Sequence, residues 1–485
     1  MIDEMLSDVA AELVRELGAD LVTTDAEEMR PFCRDWHGDV EGIALAVIRP
    51  RTTDDVVKVV RLCGRLGLNI VPQGGNTGLV LGATPESEGQ VVVSLGRMNR
   101  IRTIDAENFS AVVEAGCILS VVKDAVAAEG MFFPLTLGAQ GSCQIGGNVS
   151  SNAGGINVLR YGMTRELVLG LEVVLPDGEV WSQLSPLRKD NRGIDLKHLF
   201  IGAEGTLGIV TAVSLKLAPL PTQKSTALLA VESLEQAVAL YRFARTQCCD
   251  LLSAFEFMPP EAFGLAKEAL PHLELPMAGD HPAYVLMEIS GAGLVDISNL
   301  MQRFLELCFE QSHLVDGVVA SSDSQARTLW LFREGMVEGQ AKRGLHLRTD
   351  VSVPISRLPS FVSDVEHAVL AELPDAFCIA YGHVGDGNVH FNIHAPKEME
   401  VEHRRAYLLR AKHVIDAAVT RYDGSISAEH GIGRLKQPEF EKLTSPVHLH
   451  LLSTVKQAID PAKLMNNGVQ IKATALDRAS CSVIA

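Results

Sequence analysis

The chain has no surplus of positive charge: its 485 residues carry 43 Lys and Arg against 60 Asp and Glu, a net charge of −17. With no basic patch to offset it, that balance argues against nucleic acid or an anionic membrane as a main partner. A basic leader is also missing, because Met1-Ile2-Asp3-Glu4-Met5-Leu6-Ser7-Asp8 places acid where a signal or transit peptide carries base. No apolar run is long enough to span a bilayer. The nine cysteines, scattered from Cys33 to Cys481 with only Cys248 and Cys249 adjacent, form no Cys-x-x-Cys pair, so neither a zinc ribbon nor an iron–sulfur cluster is indicated. Reduced thiols in a cytoplasm are the expectation.

What the chain does have is an ordinary globular composition, 47% hydrophobic and 21% charged, at a length that calls for two or three structural units. The pattern predicts amphipathic helices over residues 2–18 and 54–63, and strands at 69–72, 90–95 and 111–115. Their irregular alternation indicates α+β rather than a regular parallel wind. Two prolines in Leu215 to Thr222 mark a boundary. Beyond it, helices over 234–245 and 295–310 and a strand over 283–289 predict a separate antiparallel sheet with helices to one side.

Three glycine runs punctuate the first half. Pro72-Gln73-Gly74-Gly75-Asn76-Thr77-Gly78 directly follows a strand, and consecutive glycines let backbone N–H groups converge on an anion such as a pyrophosphate. The run from Gly141 to Gly155 is longer than any turn requires, and a third spans Gly202 to Thr211. None matches Gly-x-Gly-x-x-Gly with an acidic residue some twenty positions on, so a nicotinamide-binding Rossmann site gains no support. The Lys-Ser/Thr of a nucleotide-hydrolysing loop is absent as well.

Chemistry is concentrated in Tyr381-Gly382-His383-Val384-Gly385-Asp386-Gly387-Asn388-Val389-His390-Phe391-Asn392 and in Glu429-His430. Two short strands flank Asp386-Gly387, a pair that favours a two-residue hairpin loop. Counting outward sets His383 opposite His390 on one face, at a Cβ separation of roughly 5 Å. Two imidazoles with Glu429 as third ligand suit Zn²⁺, Mn²⁺ or Fe²⁺ and leave coordination positions for a substrate. His430 points elsewhere and is available as an acid or base near neutral pH. Asn392 shares the face of His390 and could reach whatever the metal binds. The plainer alternative is a glycine-rich turn with two structural histidines and a surface Glu-His.

Through Pro72–Gly78, Gly138–Gly155, Gly202–Thr211, His383–Asn392 and Ser427–Gly433, in that order, the chain resembles the vanillyl-alcohol oxidase/para-cresol methylhydroxylase flavoproteins. It is most similar to their D-2-hydroxyacid dehydrogenase branch, which includes D-lactate and D-2-hydroxyglutarate dehydrogenases and the glycolate oxidase catalytic subunit. The resemblance implies a two-subdomain FAD-binding fold, an antiparallel-sheet cap domain for substrate, and a C-terminal helical segment returning to the flavin domain, over residues 1–221, 222–425 and 426–485. It implies flavin contacts at Pro72, Gly74, Gly75, Asn76, Thr77, Gly78, Gly138, Gly141, Ser142, Gly146, Asn148, Ser151, Asn152, Gly154, Ile209 and Asn466. Asn76 stands where covalently flavinylated members often carry histidine, so FAD is expected to be non-covalent.

On the substrate side the resemblance puts the metal on His383, His390 and Glu429, and substrate contacts on His430, Asn392, Arg333 and Arg348. The family's threonine near the substrate falls on Val337, which removes a hydroxyl, and its lysine falls on Arg348, which keeps the charge. The implied reaction converts a D-2-hydroxy acid to the 2-oxo acid, with His430 taking the hydroxyl proton and hydride passing to flavin N5. Electrons would pass to an electron-transfer flavoprotein, a quinone, a cytochrome or oxygen, and a homodimer is compatible with the chain. Lactate or glycolate as substrate stays open. So does a non-catalytic flavin-binding subunit, although such a subunit has no need of a metal site. The alkyl-dihydroxyacetone-phosphate synthase branch carries a histidine cluster that Ala380-Tyr381-Gly382-His383 lacks.

Overall fold

A computed structural model describes residues 2–277 and 280–471. The chain forms two compact units: one runs from the N-terminus to Gly155, through Gly162–Leu220 and on from Glu429; the other comprises Ile156–Tyr161 and Pro221–Ala428. The last residues of the expected C-terminal segment, 472–485, lie outside the described residues.

Among the described residues the first unit holds two main sheets and a two-stranded pairing of Met131–Phe132 with Ala218–Pro219. In the smaller, Gln90–Ser94 lies between Ala46–Ile48 and Asn69–Gln73, parallel to both, and Val22–Thr23 adds an antiparallel edge. Val91, Val92 and Val93 are fully buried, as a parallel strand covered on both faces requires. The helix Thr53–Leu66 returns the chain from Ala46–Ile48 toward Asn69–Gln73. It begins in a reciprocal cap between Thr52 and Asp55 and ends where Gly67 turns left-handed. The larger sheet is antiparallel, in the order Ile101–Asp105, Ser110–Glu114, Ile209–Lys216, Val168–Val174, Val180–Gln183.

The C-terminal helices Gln437–Leu443 and Pro446–Ile459 belong to this unit. After them, Ile70 donates to the Leu464 carbonyl and Asn466 to the Ile70 carbonyl, so the segment covers the open edge of Asn69–Gln73. The buried Lys456 ammonium secures it by donating to Thr206 O at 2.6 Å, Asp460 Oδ2 at 2.6 Å and Met465 O at 2.7 Å.

The second unit is built on an eight-stranded sheet whose pairings are all antiparallel. Its helices cover both faces, not one as the sequence pattern suggested. Ala227, Leu229 and Val231 face a core with the helices Leu234–Cys248, Ile297–Glu310, Leu358–Glu372 and Val401–Arg421. Leu228 and Ala230 face the opposite way, toward Glu261–Ala269 and Asp323–Lys342. Double coverage explains why Ala283–Gly291, buried at every position, opens with the apolar run Ala283–Met287 and shows no regular alternation. Among the described residues no helix is long and apolar enough to cross a membrane.

Candidate flavin cradle and metal centre

The glycine segments converge within the first unit. Pro72–Gly78 leaves the C-terminal end of the parallel strand Asn69–Gln73, where helix–sheet folds place ligands. Gly75 lies so close to the second glycine segment that a Cβ there would stand 2.2 Å from Ser142 O, and a Cβ on Gly74 would sit 3.4 Å from Gly147 N. Backbone therefore faces backbone. Asn76 adopts φ 53° and donates through Nδ2 to Arg34 O at 2.7 Å, which holds the loop in place. Gly146 opens the short helix Ile145–Ser150, closely packed on Ala115, and buried Ile209 starts the strand Ile209–Lys216. Gly138, Gly141 and Ser142 are exposed on the connecting loop, and Ser151 donates to Gly147 O.

This cradle fits a polar cofactor. Asn148 Oδ1 and Gln144 Oε1 are buried there without a donor, an arrangement that a hydrogen-bonding ligand satisfies. Asn466 spends its side chain on the protein: Nδ2 donates to Gly82 O and Glu204 O, and Oδ1 accepts from Arg434. It holds the third glycine segment and the C-terminal strap in register.

The histidines belong to the second unit, and there the two-residue hairpin fails. Phe377–His383 pairs with Asn388–His394 so that Tyr381, not His383, lies opposite His390. A 3₁₀ turn over Val384–Asp386, closed by Gly387 at φ 75°, occupies the place of the tight loop. The register is displaced by two residues. A shift of two preserves the face, whereas a shift of one would have reversed it. The imidazoles still meet, edge to face, with centroids 5.8 Å apart.

Both rings are oriented from behind. His383 Nδ1 lies 2.5 Å from Glu256 Oε1, and His390 Nδ1 lies 3.3 Å from the Thr349 carbonyl. Acceptors at both Nδ1 atoms put the protons there and the lone pairs on Nε2, the tautomer a metal requires. Ala428 donates to Asp350 O and so fixes the chain immediately before Glu429. One ligand atom from each of His383, His390 and Glu429 lies within 4.8 Å of the other two. Two imidazoles and a carboxylate fit a divalent ion of the zinc, manganese or iron type. Gly154 leaves room for the glutamate, since a Cβ there would stand 2.9 Å from Glu429 Oε1.

His430 follows, half-buried, on a loop that Glu204 clamps by accepting from Ile432 N at 2.8 Å and Gly433 N at 2.7 Å. Arg333, on the helix Asp323–Lys342, is buried over the Tyr381 ring at 4.8 Å, and its Nε donates to Glu256 Oε2 at 2.9 Å. Asn392 is buried with its amide committed to Thr349 N, Gln340 and Tyr381. Arg348 is exposed and donates to His346 Nε2 at 3.2 Å.

Sequence reading missed Glu256. Burial alone would raise its pKa, but His383 and Arg333 more than offset that and hold it at about 2. The local signal was a lone carboxylate inside the wholly buried strand Leu252–Met258.

Two family models match the chain, one described as an FAD binding domain over residues 44–182 and one as the C-terminal domain of FAD linked oxidases over residues 220–469. A flavin cradle and a separate sheet of titratable groups define an FAD-dependent oxidoreductase, and the chain belongs to the FAD-linked oxidase family. Within it the chain falls in the D-2-hydroxyacid dehydrogenase branch. It is 38% identical over 451 residues to the mitochondrial D-2-hydroxyglutarate dehydrogenase of Bos taurus, covering 92% of this chain and 80% of that one. It is 37% identical over 446 residues to the D-2-hydroxyglutarate dehydrogenase of Xanthomonas citri pv. viticola, covering 92% and 93%. The fold is shared with p-cresol methylhydroxylase at a TM-score of 0.74 and 17% identity, over 96% of this chain and 97% of that one. It is shared with alkyldihydroxyacetonephosphate synthase at 0.72 and 16%, over 95% and 84%.

Proposed function

We propose that the protein oxidises a D-2-hydroxy acid to the 2-oxo acid, with D-2-hydroxyglutarate as the leading substrate. The observation that carries this reading is the convergence of His383, His390 and Glu429; the names of the relatives at 37–38% identity support the substrate class. Bound non-covalently, FAD supplies the two-electron sink, and a divalent ion on the three ligands supplies the Lewis acid that eases hydroxyl deprotonation.

The remaining work falls to side chains. His430 takes the hydroxyl proton while the α-hydrogen departs as hydride. Arg333 meets a carboxylate through its terminal nitrogens, because its Nε is engaged by Glu256. Arg348 offers a second cation to a dicarboxylic substrate. Val337, 48% exposed one turn beyond Arg333, favours a second reading in which the substrate is a monocarboxylate such as D-lactate.

Anaerobic bleaching of the flavin's visible band by D- and L-lactate, 2-hydroxyglutarate, malate and 2-hydroxybutyrate, and by glycolate, tests this. Reduction by one D-acid, abolished by chelator, is the expected result. A yellow protein that no acid reduces and that holds no metal overturns it and favours a non-catalytic flavin-binding subunit.

A further inference from the structure

Glu256 lies on the strand Leu252–Met258, directly opposite His383 on the neighbouring strand, with 1% of its surface exposed. Among the described residues each carboxylate oxygen has one hydrogen-bond partner. Oε1 takes His383 Nδ1 at 2.5 Å and Oε2 takes Arg333 Nε at 2.9 Å. The guanidinium is held in a second direction by the Tyr381 ring, 4.8 Å from its central carbon. Tyr381 in turn accepts from Asn392 Nδ2 at 3.1 Å.

We infer that Glu256 is a positioning residue that couples two parts of the substrate site, holding the ligand tautomer of His383 and the orientation of Arg333 through one rigid carboxylate. This rests on the proposed function, in which His383 holds the ion and Arg333 the substrate carboxylate. A planar carboxylate between them fixes their separation, so an acid gripped by Arg333 presents its other end at a set distance from His383. The carboxylate also balances the buried guanidinium, so nothing else is needed to neutralise it. Arg333 Nη1 and Nη2 make no hydrogen bond among the described residues, and they form the edge that a carboxylate engages in bidentate fashion.

Glutamine at this position keeps the shape but has one acceptor, so it cannot serve both donors. The test uses the full-length FAD-loaded protein. Zinc affinity is measured by competition with a chelator, the cobalt(II) spectrum reports ligand geometry, and KM and kcat are read separately. Glu256→Gln is expected to weaken zinc about 10- to 100-fold, the usual effect of removing a carboxylate behind a ligating histidine. The cobalt spectrum should change and KM should rise, with flavin content unchanged.

In an Arg333→Ala background Glu256→Gln still weakens zinc, and in a His383→Ala background it still raises KM. If Glu256→Gln does not fold, Glu256→Asp carries the same measurements, because the shorter side chain reaches only one partner. A variant with wild-type zinc affinity and wild-type KM overturns the inference. Wild-type protein that binds no zinc and gives no cobalt spectrum overturns the proposed metal function instead, and the inference then stands or falls on KM alone.

Discussion

The glycine loops of the first unit present backbone, whereas the sheet of the second presents side chains. In the loops the signal is a lack of side chains, and it is local: Gly74 and Gly75 sit against Gly147 and Ser142 because neither of the two glycines projects a side chain into the contact. On the sheet, each group is aimed by a partner distant in the chain. Glu256 and His383 are 127 residues apart, and His390 and Thr349 are 41 apart. A backbone cradle is thus vulnerable to an atom added where backbone meets backbone, as at Gly75, while a side-chain centre is vulnerable to loss of a group.

If the two sites are separable in this way, His383→Ala has the largest effect. It should slow substrate-dependent flavin bleaching by about 1000-fold, the several kcal/mol that a Lewis acid contributes, with FAD content intact. Stopped-flow absorbance under anaerobic conditions measures the rate, and the visible band measures the flavin. Gly75→Ala should do the reverse. Overpacking against Ser142 costs about 1–3 kcal/mol, read as FAD bound about 10- to 100-fold more weakly with metal content unchanged. Loss of both ligands in either variant would break the comparison.

His394 sharpens it through pH. Burial first, then the positive surroundings of His346, Arg343 and Arg348, depress its pKa to about 3. The unfolded chain takes up that proton near the ordinary value and the folded chain does not. The stabilisation is therefore full above that value and is lost as pH falls toward 3, at up to about 1.4 kcal/mol per pH unit. His394→Phe should flatten this acid limb in urea unfolding followed at several pH values. The smallest effect is expected for Asn76→Ala, which removes the bond to Arg34 O from a left-handed position. It should weaken FAD by about 1 kcal/mol in a flavin titration.

Much of the local structure was legible. Helices expected over 54–63, 234–245 and 295–310 appear as Thr53–Leu66, Leu234–Cys248 and Ile297–Glu310, and the strand over 283–289 extends to Gly291. Their signals were periodicity, caps and apolar runs, all read within a few residues. The hairpin was legible only in part. Asp386-Gly387 marked a turn, but the 3₁₀ geometry over Val384–Asp386 depends on contacts that a four-residue window does not contain. The helices on the second face of the large sheet were missed because a doubly covered strand shows no alternation to say which side is open.

The candidate metal ligands His383, His390 and Glu429, their chemical kinds and the backbone freedom of the glycine loops were legible in the sequence alone, since each depends on side-chain identity or its lack. The pairing of Tyr381 with His390, the carboxylate shared by His383 and Arg333, and the commitment of Asn392 and Asn466 to protein partners were decided only by tertiary structure. The physical reason is that hydrogen bonds and burial are properties of pairs. A residue's type limits which partners it can take, but only packing brings one of them within 3 Å or so.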